Sequence, residues 1–195
     1  MLTFEAALAI REARLIYGSK RAIELASEHI DPAATVEVIE DYGKLKELPD
    51  DAVVLSTGDP MLSGLGFLGG EIIPGISSMQ VACARLGISL LKITPITVHG
   101  RGMDTSQIAR EIEQGRSVFL LIDETTDIPG LCRFLVDRGL SRYVTVLTDL
   151  GYPTERIEKG DTTNPPRAPG LSCVVIGELG NDSDRIPKTA VLLEE

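Results

Sequence analysis

Short apolar runs rich in β-branched residues alternate with amphipathic segments along most of this sequence of 195 residues. Such alternation is typical of α/β proteins, in which buried parallel strands are connected by helices that cover the sheet. Turn residues close the apolar runs, which supports their assignment as strands. In the N-terminal part the pattern predicts helices over residues 3–14, 20–26 and 77–86, buried parallel strands over residues 15–17, 35–39 and 52–55, and an apolar strand directly before His99.

The same pattern returns in the C-terminal part. It predicts strands over residues 117–122, 143–147 and 172–176, a candidate last strand over residues 191–193, and a helix over residues 129–138. Two glycines within residues 99–102 separate an apolar strand from a helix that Asp104 and Gln107 begin with a capping-box pattern. We therefore expect two α/β domains, residues 1–99 and residues 103–195.

Composition restricts the partners of the chain. Hydrophobic residues make up 43% and charged residues 25%, as in ordinary globular proteins. The formal net charge of -10 opposes binding to nucleic acid or to an anionic membrane surface. No apolar run reaches the roughly 18 residues of a membrane span, and the N-terminal sequence lacks the pattern of a signal peptide. We expect a cytoplasmic protein whose three well-separated cysteines are buried free thiols.

One stretch of this acidic chain contains no carboxylate. Residues 72–103 lack Asp and Glu but include Arg85, Lys92 and Arg101. Two interpretations remain open. Buried strands and helices have few charges in any case, whereas a cleft that receives an anionic ligand would also exclude acidic side chains.

The first candidate motif is the turn formed by residues 56–60, Ser-Thr-Gly-Asp-Pro, directly after a predicted strand. Open α/β sheets bind their ligands at the carboxyl ends of parallel strands. Gly58 allows a close turn, and the extended conformation favoured before a proline leaves the Asp59 carboxylate available as an acceptor. The alternative is a plain Asp-Pro turn without a ligand.

The second motif is the turn Pro-Gly-Ile-Ser-Ser at residues 74–78, which leads into a predicted helix. The free N–H groups of a helix start attract anions, and Ser78 could add a hydroxyl. The alternative is that Ser77 only caps the helix.

The third motif contains His99 and Arg101 at the end of a predicted strand. Arg101 could bind a substrate carboxylate with two hydrogen bonds. A structural histidine in a boundary loop is the alternative. The other histidine, His29, is interpreted as a cation at a helix C-terminus.

Several common sites are excluded. Residues 64–69 match G-x-G-x-x-G in letters, but they do not directly follow a strand, and no acidic residue lies about 20 positions further on. A nicotinamide site is therefore not expected. The sequence also lacks a G-x-S-x-G nucleophile turn, a Walker A loop and zinc-binding spacings.

Taken in order, the segments STGDPMLSGLG, EIIPGISSMQVACARLGI and ITVHGRG resemble the tetrapyrrole methyltransferases of corrin synthesis, which use S-adenosylmethionine. The similarity extends to LTFEAALAIREARLIYGSKRAIEL and VLTDLGYPTERIEKG and so covers most of the chain. The His-Gly-Arg sequence is similar to that of the members that methylate C5 of a precorrin. The resemblance implies an α/β fold of two domains with a ligand cleft between them, a homodimer, and S-adenosylmethionine as cosubstrate.

The resemblance also implies roles for individual residues. The expected cosubstrate contacts are Gly58, Asp59, Leu62, Ser77, Ser78 and Leu121. His99 and Arg101 are expected to face the acetate and propionate carboxylates of the tetrapyrrole. No catalytic side chain and no metal are expected, because the sulfonium methyl is already activated and the ring carbon is the nucleophile.

One departure from the family accompanies these expectations. Family members begin with a strand and a G-x-G-P-G loop, and the given sequence starts at Met1 without either, so we expect the first strand of the fold to be missing. Two alternatives stay open. One is a family member that acts on another ring position or in diphthamide synthesis, and the other is a non-catalytic relative.

Overall fold

The structure is a computed structural model that describes residues 2–98 and 102–178. These residues belong to two compact units, residues 1–78 and residues 79–195. The domain boundary predicted at residues 99–103 includes three positions outside the described residues, and it stays a prediction. The candidate strand at residues 191–193 also lies outside them.

The first unit is built around a small parallel sheet. Its strands are in the order β2-β1-β3, and both pairings are parallel. Ile16 of the central strand packs with Ile10 from the first helix and with Ala22 and Ala26 from the second. The elements are α1 (Phe4–Glu12), β1 (Leu15–Gly18), α2 (Lys20–Ala26), β2 (Thr35–Val38), β3 (Val53–Val54) and α3 (Pro60–Ser63).

Side-chain caps explain where the first two helices begin. Thr3 and Ser19 accept hydrogen bonds from the backbone N–H groups of Ala6 and Ala22, three residues further on. Each bond satisfies a donor that has no partner within the helix. The predicted helices are confirmed, although α1 is shorter at both ends than predicted.

Two expectations about the first sheet are corrected. We predicted residues 35–39 as a buried strand, but all four residues of β2 are exposed. The reason is that β2 lies at an edge of the sheet, where β1 is its only neighbour among the described strands. In addition, we predicted a buried strand over residues 52–55, but β3 comprises only Val53–Val54, and both of these residues are half-buried.

The second unit contains a mixed sheet of five strands in the order β4-β5-β8-β6-β7. The pair β4 and β5 is parallel, and α5 connects the two strands. The other three pairs are antiparallel. The elements are α4 (Ser78–Leu86), β4 (Ile93–Thr97), α5 (Thr105–Glu113), β5 (Ser117–Leu121), α6 (Ile128–Asp137), β6 (Tyr143–Thr148), β7 (Arg156–Asp161) and β8 (Ser172–Gly177).

Helices α5 and α6 bury one face of this sheet. Asp104 caps α5 as predicted, by accepting from the N–H groups of Ser106 and Gln107. The side chains that form this core are Ile108, Ile112, Leu131, Leu135, Val118, Leu120, Val144, Val146, Val174 and Ile176. Across residues 2–98 and 102–178, no helix has the length and apolar character that crossing a bilayer requires.

The sequence did not predict β7. Charged residues dominate this strand, and Ile157 is its only large apolar residue, because the strand lies at the sheet edge and exposes most of its side chains. It forms a hairpin with β6, so the tertiary pairing outweighs the weak local pattern.

Candidate functional site

The first candidate turn lies at the carboxyl end of the first sheet. Pairing of β3 with β1 continues past the strand, because the Leu55 N–H donates to the Tyr17 carbonyl at 2.7 Å. The turn then leads into α3, which Asp59 caps: its Oδ1 accepts from the N–H groups of Met61 at 2.9 Å and Leu62 at 3.2 Å. Pro60 follows as the first helical residue, where its missing N–H costs no hydrogen bond.

The second oxygen of Asp59 joins the two candidate turns. Asp59 Oδ2 accepts from the Gly75 N–H at 3.0 Å. The backbones are also close, since a Cβ atom at Gly75 would lie 3.5 Å from the Gly58 carbonyl oxygen and 3.6 Å from Asp59 Cα. The structure therefore brings together the two motifs that the sequence identified separately.

A residue that the sequence analysis did not assign to the site also contacts the second turn. The hydroxyl of Thr3, the cap of α1, donates to the Pro74 carbonyl at 3.4 Å. From the sequence, Thr3 can be recognised only as the residue that begins α1. A contact between positions 71 residues apart leaves no local pattern.

Gly58 follows the carboxyl end of β3 and borders space that is open among the described residues. A Cβ atom built at this position would meet no atom within 4 Å. The backbone here does not require a left-handed conformation, since Gly58 is not among the residues with positive φ. Space beside a glycine at the carboxyl end of a parallel strand fits the close approach of a small organic ligand.

The serines of the second turn lie where helix α4 begins. Ser78 is the first residue of α4, and Ser77 directly precedes it with only 5% of its surface exposed. The N-terminal N–H groups of α4, a helix of nine residues, carry partial positive charge. Leu62, another predicted contact of the cosubstrate, lies in the first unit and is half-buried in α3.

Leu121 lies in the second unit, at the carboxyl end of β5. Its carbonyl accepts from the Val98 N–H at 2.9 Å, so the chain that leads to His99 leaves β4 beside the end of β5. His99 and Arg101 themselves lie outside the described residues, and their predicted contacts with substrate stay predictions.

The basic residues of the carboxylate-free stretch differ in their surroundings. Arg85 is paired with Glu155 at 2.7 Å, and this ion pair lowers the pKa of the Glu155 carboxyl below its ordinary value. Lys92 is exposed immediately before β4, at the end of that strand opposite to Val98. Arg85 is therefore neutralised, and it contributes little to the attraction of an anionic ligand.

A separate cavity of about 410 Å³ opens at the carboxyl ends of β1 and β2. Its charged lining consists of Glu37, Glu40 and Asp41 against Lys44. Because like charges repel, this cavity is a poor site for a ligand with several carboxylates. None of the predicted site residues lines it.

Comparisons with known proteins identify a family of similar sequences and structures. The sequence model of the family "Tetrapyrrole (Corrin/Porphyrin) Methylases" matches residues 1–165. The chain therefore belongs to the tetrapyrrole methylase family, and the resemblance noted in the sequence is confirmed. The predicted α/β fold is confirmed as well, since a precorrin-6Y methylase from Archaeoglobus fulgidus has the same fold with a TM-score of 0.69, 25% identity and coverage of 90% of each chain.

Two relatives indicate the position of the chain within the family. It is 33% identical to a probable cobalt-precorrin-7 C(5)-methyltransferase of Methanocaldococcus jannaschii, over 80% of this chain and 81% of that protein. It is 31% identical to a precorrin-6Y C(5,15)-methyltransferase [decarboxylating] of Sinorhizobium sp. That alignment covers 78% of this chain but only 40% of the relative. The chain therefore corresponds to less than half of the protein whose name gives both positions, 5 and 15.

Proposed function

We propose that this protein transfers the methyl group of S-adenosylmethionine to C5 of a precorrin or cobalt-precorrin during corrin biosynthesis. The observation that carries the proposal is the junction of the two turns by Asp59, which assembles the family's motifs at the carboxyl edge of a parallel sheet. The relative named for C(5) alone supports the choice of ring position.

The chemistry needs alignment rather than a catalytic side chain. The ring carbon supplies the electron pair of the new C–C bond, and the pair of the broken C–S bond leaves with sulfur as S-adenosylhomocysteine. The positive charge of the sulfonium passes to the macrocycle, which releases a proton. Because the methyl group is already activated, the protein contributes by holding the two reactants in line and by excluding water.

The cosubstrate is assigned first to the two turns that Asp59 joins. The space beside Gly58 fits a close approach of its backbone to the ligand. The start of α4 at Ser77 and Ser78 suits the carboxylate of the methionine portion, because helix N-termini attract anions. The proposed contacts are the backbone at Gly58, Asp59 and Leu62, the residues Ser77 and Ser78 at the start of α4, and Leu121, which the resemblance implies.

The substrate carboxylates are assigned to His99 and Arg101. A precorrin carries many acetate and propionate groups, and arginine binds a carboxylate with two parallel hydrogen bonds. The absence of Asp and Glu from residues 72–103 supports this assignment, since no acidic side chain in that segment would repel the substrate.

We also propose a homodimer in the cytoplasm. Large apolar side chains on α1 support association, because Phe4 is 83% exposed and Leu8, one turn further along, is 43% exposed. The three cysteines are free and buried, which suits a reducing compartment. Light scattering tests the dimer, with an expected mass of twice the 21.0 kDa of one chain.

Calorimetric titration with S-adenosylhomocysteine tests the proposed function without an unstable tetrapyrrole. We expect binding of one ligand per chain. Gly58→Ala should leave thermal stability unchanged, because its Cβ meets open space, and should weaken binding by obstructing the ligand. Absence of binding to the unmodified chain would favour the non-catalytic alternative, and binding without methylation at C5 would favour another substrate of the family.

A further inference from the structure

A single peptide group, the one between Pro74 and Gly75, is held at both of its polar atoms. Its carbonyl oxygen accepts from the Thr3 hydroxyl at 3.4 Å. Its N–H donates to Asp59 Oδ2 at 3.0 Å. The two side chains come from the starts of two different helices, so this peptide is tied to α1 and to α3.

Both side chains have a second function that does not require this contact. Thr3 Oγ1 accepts from the Ala6 N–H at 3.2 Å and thereby caps α1. Asp59 Oδ1 caps α3 through the N–H groups of Met61 and Leu62. A cap is complete with bonds of that kind, so helix capping does not account for the bonds to the Pro74–Gly75 peptide.

Two other helix caps of this chain, Ser19 and Asp104, serve as a comparison. Ser19 caps α2 through the Ala22 N–H, and Asp104 caps α5 through the N–H groups of Ser106 and Gln107. In the part of the chain that the structure describes, the side-chain bonds of Ser19 and Asp104 remain within the first turn of their own helix. Thr3 and Asp59 each reach beyond it to the same peptide group.

Holding both polar atoms fixes the orientation of the peptide plane. A peptide plane between two Cα atoms rotates as a unit, because the C–N bond is rigid. Rotation of the Pro74–Gly75 plane would break the bonds to Thr3 and Asp59 together. The backbone angles on either side of this plane, ψ of Pro74 and φ of Gly75, also set the path of the chain through Ile76 to Ser77, the residue that precedes α4.

We propose that Thr3 and Asp59 are positioning residues, which lock the Pro74–Gly75 peptide and thereby set the second turn for the cosubstrate. This inference rests on the proposed function. It assigns to the Asp59 carboxylate an indirect role: the group acts through the turn, and its two oxygens are engaged by the N–H groups of Met61, Leu62 and Gly75.

The substitution Asp59→Asn separates the two functions of this side chain. Asparagine caps helices as well as aspartate does, but it has one acceptor oxygen in place of two. With its single oxygen accepting from the N–H groups of Met61 and Leu62, asparagine keeps the cap, and its amide NH2 group then faces the Gly75 N–H, so that the bond to Gly75 is lost. The matched control is Asp104→Asn, which changes an aspartate that caps a helix of the second unit and has no bond to residues 74–75.

Two readouts distinguish positioning from a merely structural role. Amide hydrogen exchange at Gly75, followed by NMR, reports the locked peptide directly, and we expect exchange at least about tenfold faster in Asp59→Asn. The dissociation constant of S-adenosylhomocysteine should rise about tenfold to a hundredfold, the effect of losing one hydrogen bond to a charged group. Asp104→Asn should change neither quantity.

Variants of Thr3 give an independent test. Thr3→Val removes the hydroxyl and should raise the dissociation constant, whereas Thr3→Ser keeps a hydroxyl and should restore it. Ser19→Ala is the control, because it removes an equivalent cap in the same unit without touching the second turn. We expect Thr3→Val and Ser19→Ala to lose similar thermal stability, with weaker binding in Thr3→Val alone.

The outcomes separate this inference from the proposed function. Tight binding by the unmodified chain with unchanged Gly75 exchange and unchanged affinity in Asp59→Asn would overturn the inference. Weaker binding in Asp59→Asn with unchanged Gly75 exchange would also overturn it, because the carboxylate would then contact the ligand directly. Absence of binding to the unmodified chain would contradict the proposed function, and faster Gly75 exchange in Asp59→Asn would still support the lock on the peptide.

Discussion

Arg85 Nε lies 2.7 Å from Glu155 Oε1 and joins the last turn of α4 to the loop between β6 and β7. The other carboxylate oxygen of Glu155 accepts from the Gly151 N–H at 2.8 Å. The hydrogen bond from Arg85 is the largest cause of the lowered pKa of Glu155, followed by the bond from Gly151. The pair thus removes one positive charge from the carboxylate-free stretch and holds the loop.

The Glu155 carboxylate should therefore stabilise the chain at neutral pH but not in acid. Because its pKa is lower in the folded chain, the stabilisation is complete above the unfolded value, near 4.5, and is lost as pH falls through the folded pKa. We expect Glu155→Gln to lower the free energy of unfolding by about 1 kcal/mol at pH 7, as for an exposed ion pair. Urea unfolding at several pH values measures the difference.

The control for this prediction is Glu158→Gln on the neighbouring strand β7, which should leave the free energy of unfolding unchanged. A difference between Glu155→Gln and the unmodified chain that persisted unchanged at pH 3 would contradict the role of the charged carboxylate.

Thr145 carries a buried hydroxyl with no hydrogen-bond partner within the part of the chain that the structure describes. Burying such a group is costly, so Thr145→Val should raise the free energy of unfolding by about 1 kcal/mol. The same substitution at Thr148, on the same strand, should destabilise the chain, because that hydroxyl is hydrogen-bonded to Ser172 at 3.0 Å. Thermal unfolding of both variants measures the effect, and a loss of stability in Thr145→Val would be inconsistent with an unpaired hydroxyl.

The three thiols should be unreactive in the folded chain. Burial raises the pKa of Cys132 from 9.0 to about 11, raises that of Cys173 to about 12, and also raises that of Cys83. Because the thiolate is the reactive form, we expect iodoacetamide at pH 8 to label Cys132 about a hundredfold more slowly in the folded chain than in urea. Mass spectrometry of peptides measures the rates, and fast labelling of the folded chain would show that these thiols are accessible.

Arg101 is proposed to bind substrate and not cosubstrate. Arg101→Ala should therefore raise the KM for the tetrapyrrole by about tenfold or more, the effect of losing a hydrogen bond between charged groups. The dissociation constant of S-adenosylhomocysteine should not change. Lys92→Ala is the matched control, because it removes one positive charge of the same stretch at the opposite end of β4. An equal rise of KM in both variants would indicate only a general effect of charge.

The parts of the fold that local patterns determine could be predicted from the sequence. Helix α5 was predicted from Asp104 and Gln107, since capping needs only neighbouring residues. Strand β7 was not predicted, because its charged residues gain strand structure only by pairing with β6. The exposure of β2 was also mispredicted, because an apolar pattern does not tell whether a strand lies at an edge of its sheet.

The candidate site likewise has parts that the local sequence predicts and parts that depend on tertiary packing. The two turns were recognised because each lies directly after or before a regular element. Their contact was not predicted, because the bond between Asp59 and Gly75 joins residues 16 positions apart and that between Thr3 and Pro74 joins residues 71 positions apart. Such contacts follow from tertiary packing of the first unit and not from local sequence.

Transfer of a carbon-13 methyl group tests the central claim most directly. The chain would be incubated with S-adenosylmethionine labelled in its methyl group and with the precorrin or cobalt-precorrin that lacks a methyl group at C5, and the product would be analysed by NMR. The account predicts one labelled methyl group per macrocycle, at C5, with one S-adenosylhomocysteine released for each. A label at another ring position, or binding of both ligands without any transfer, would contradict it.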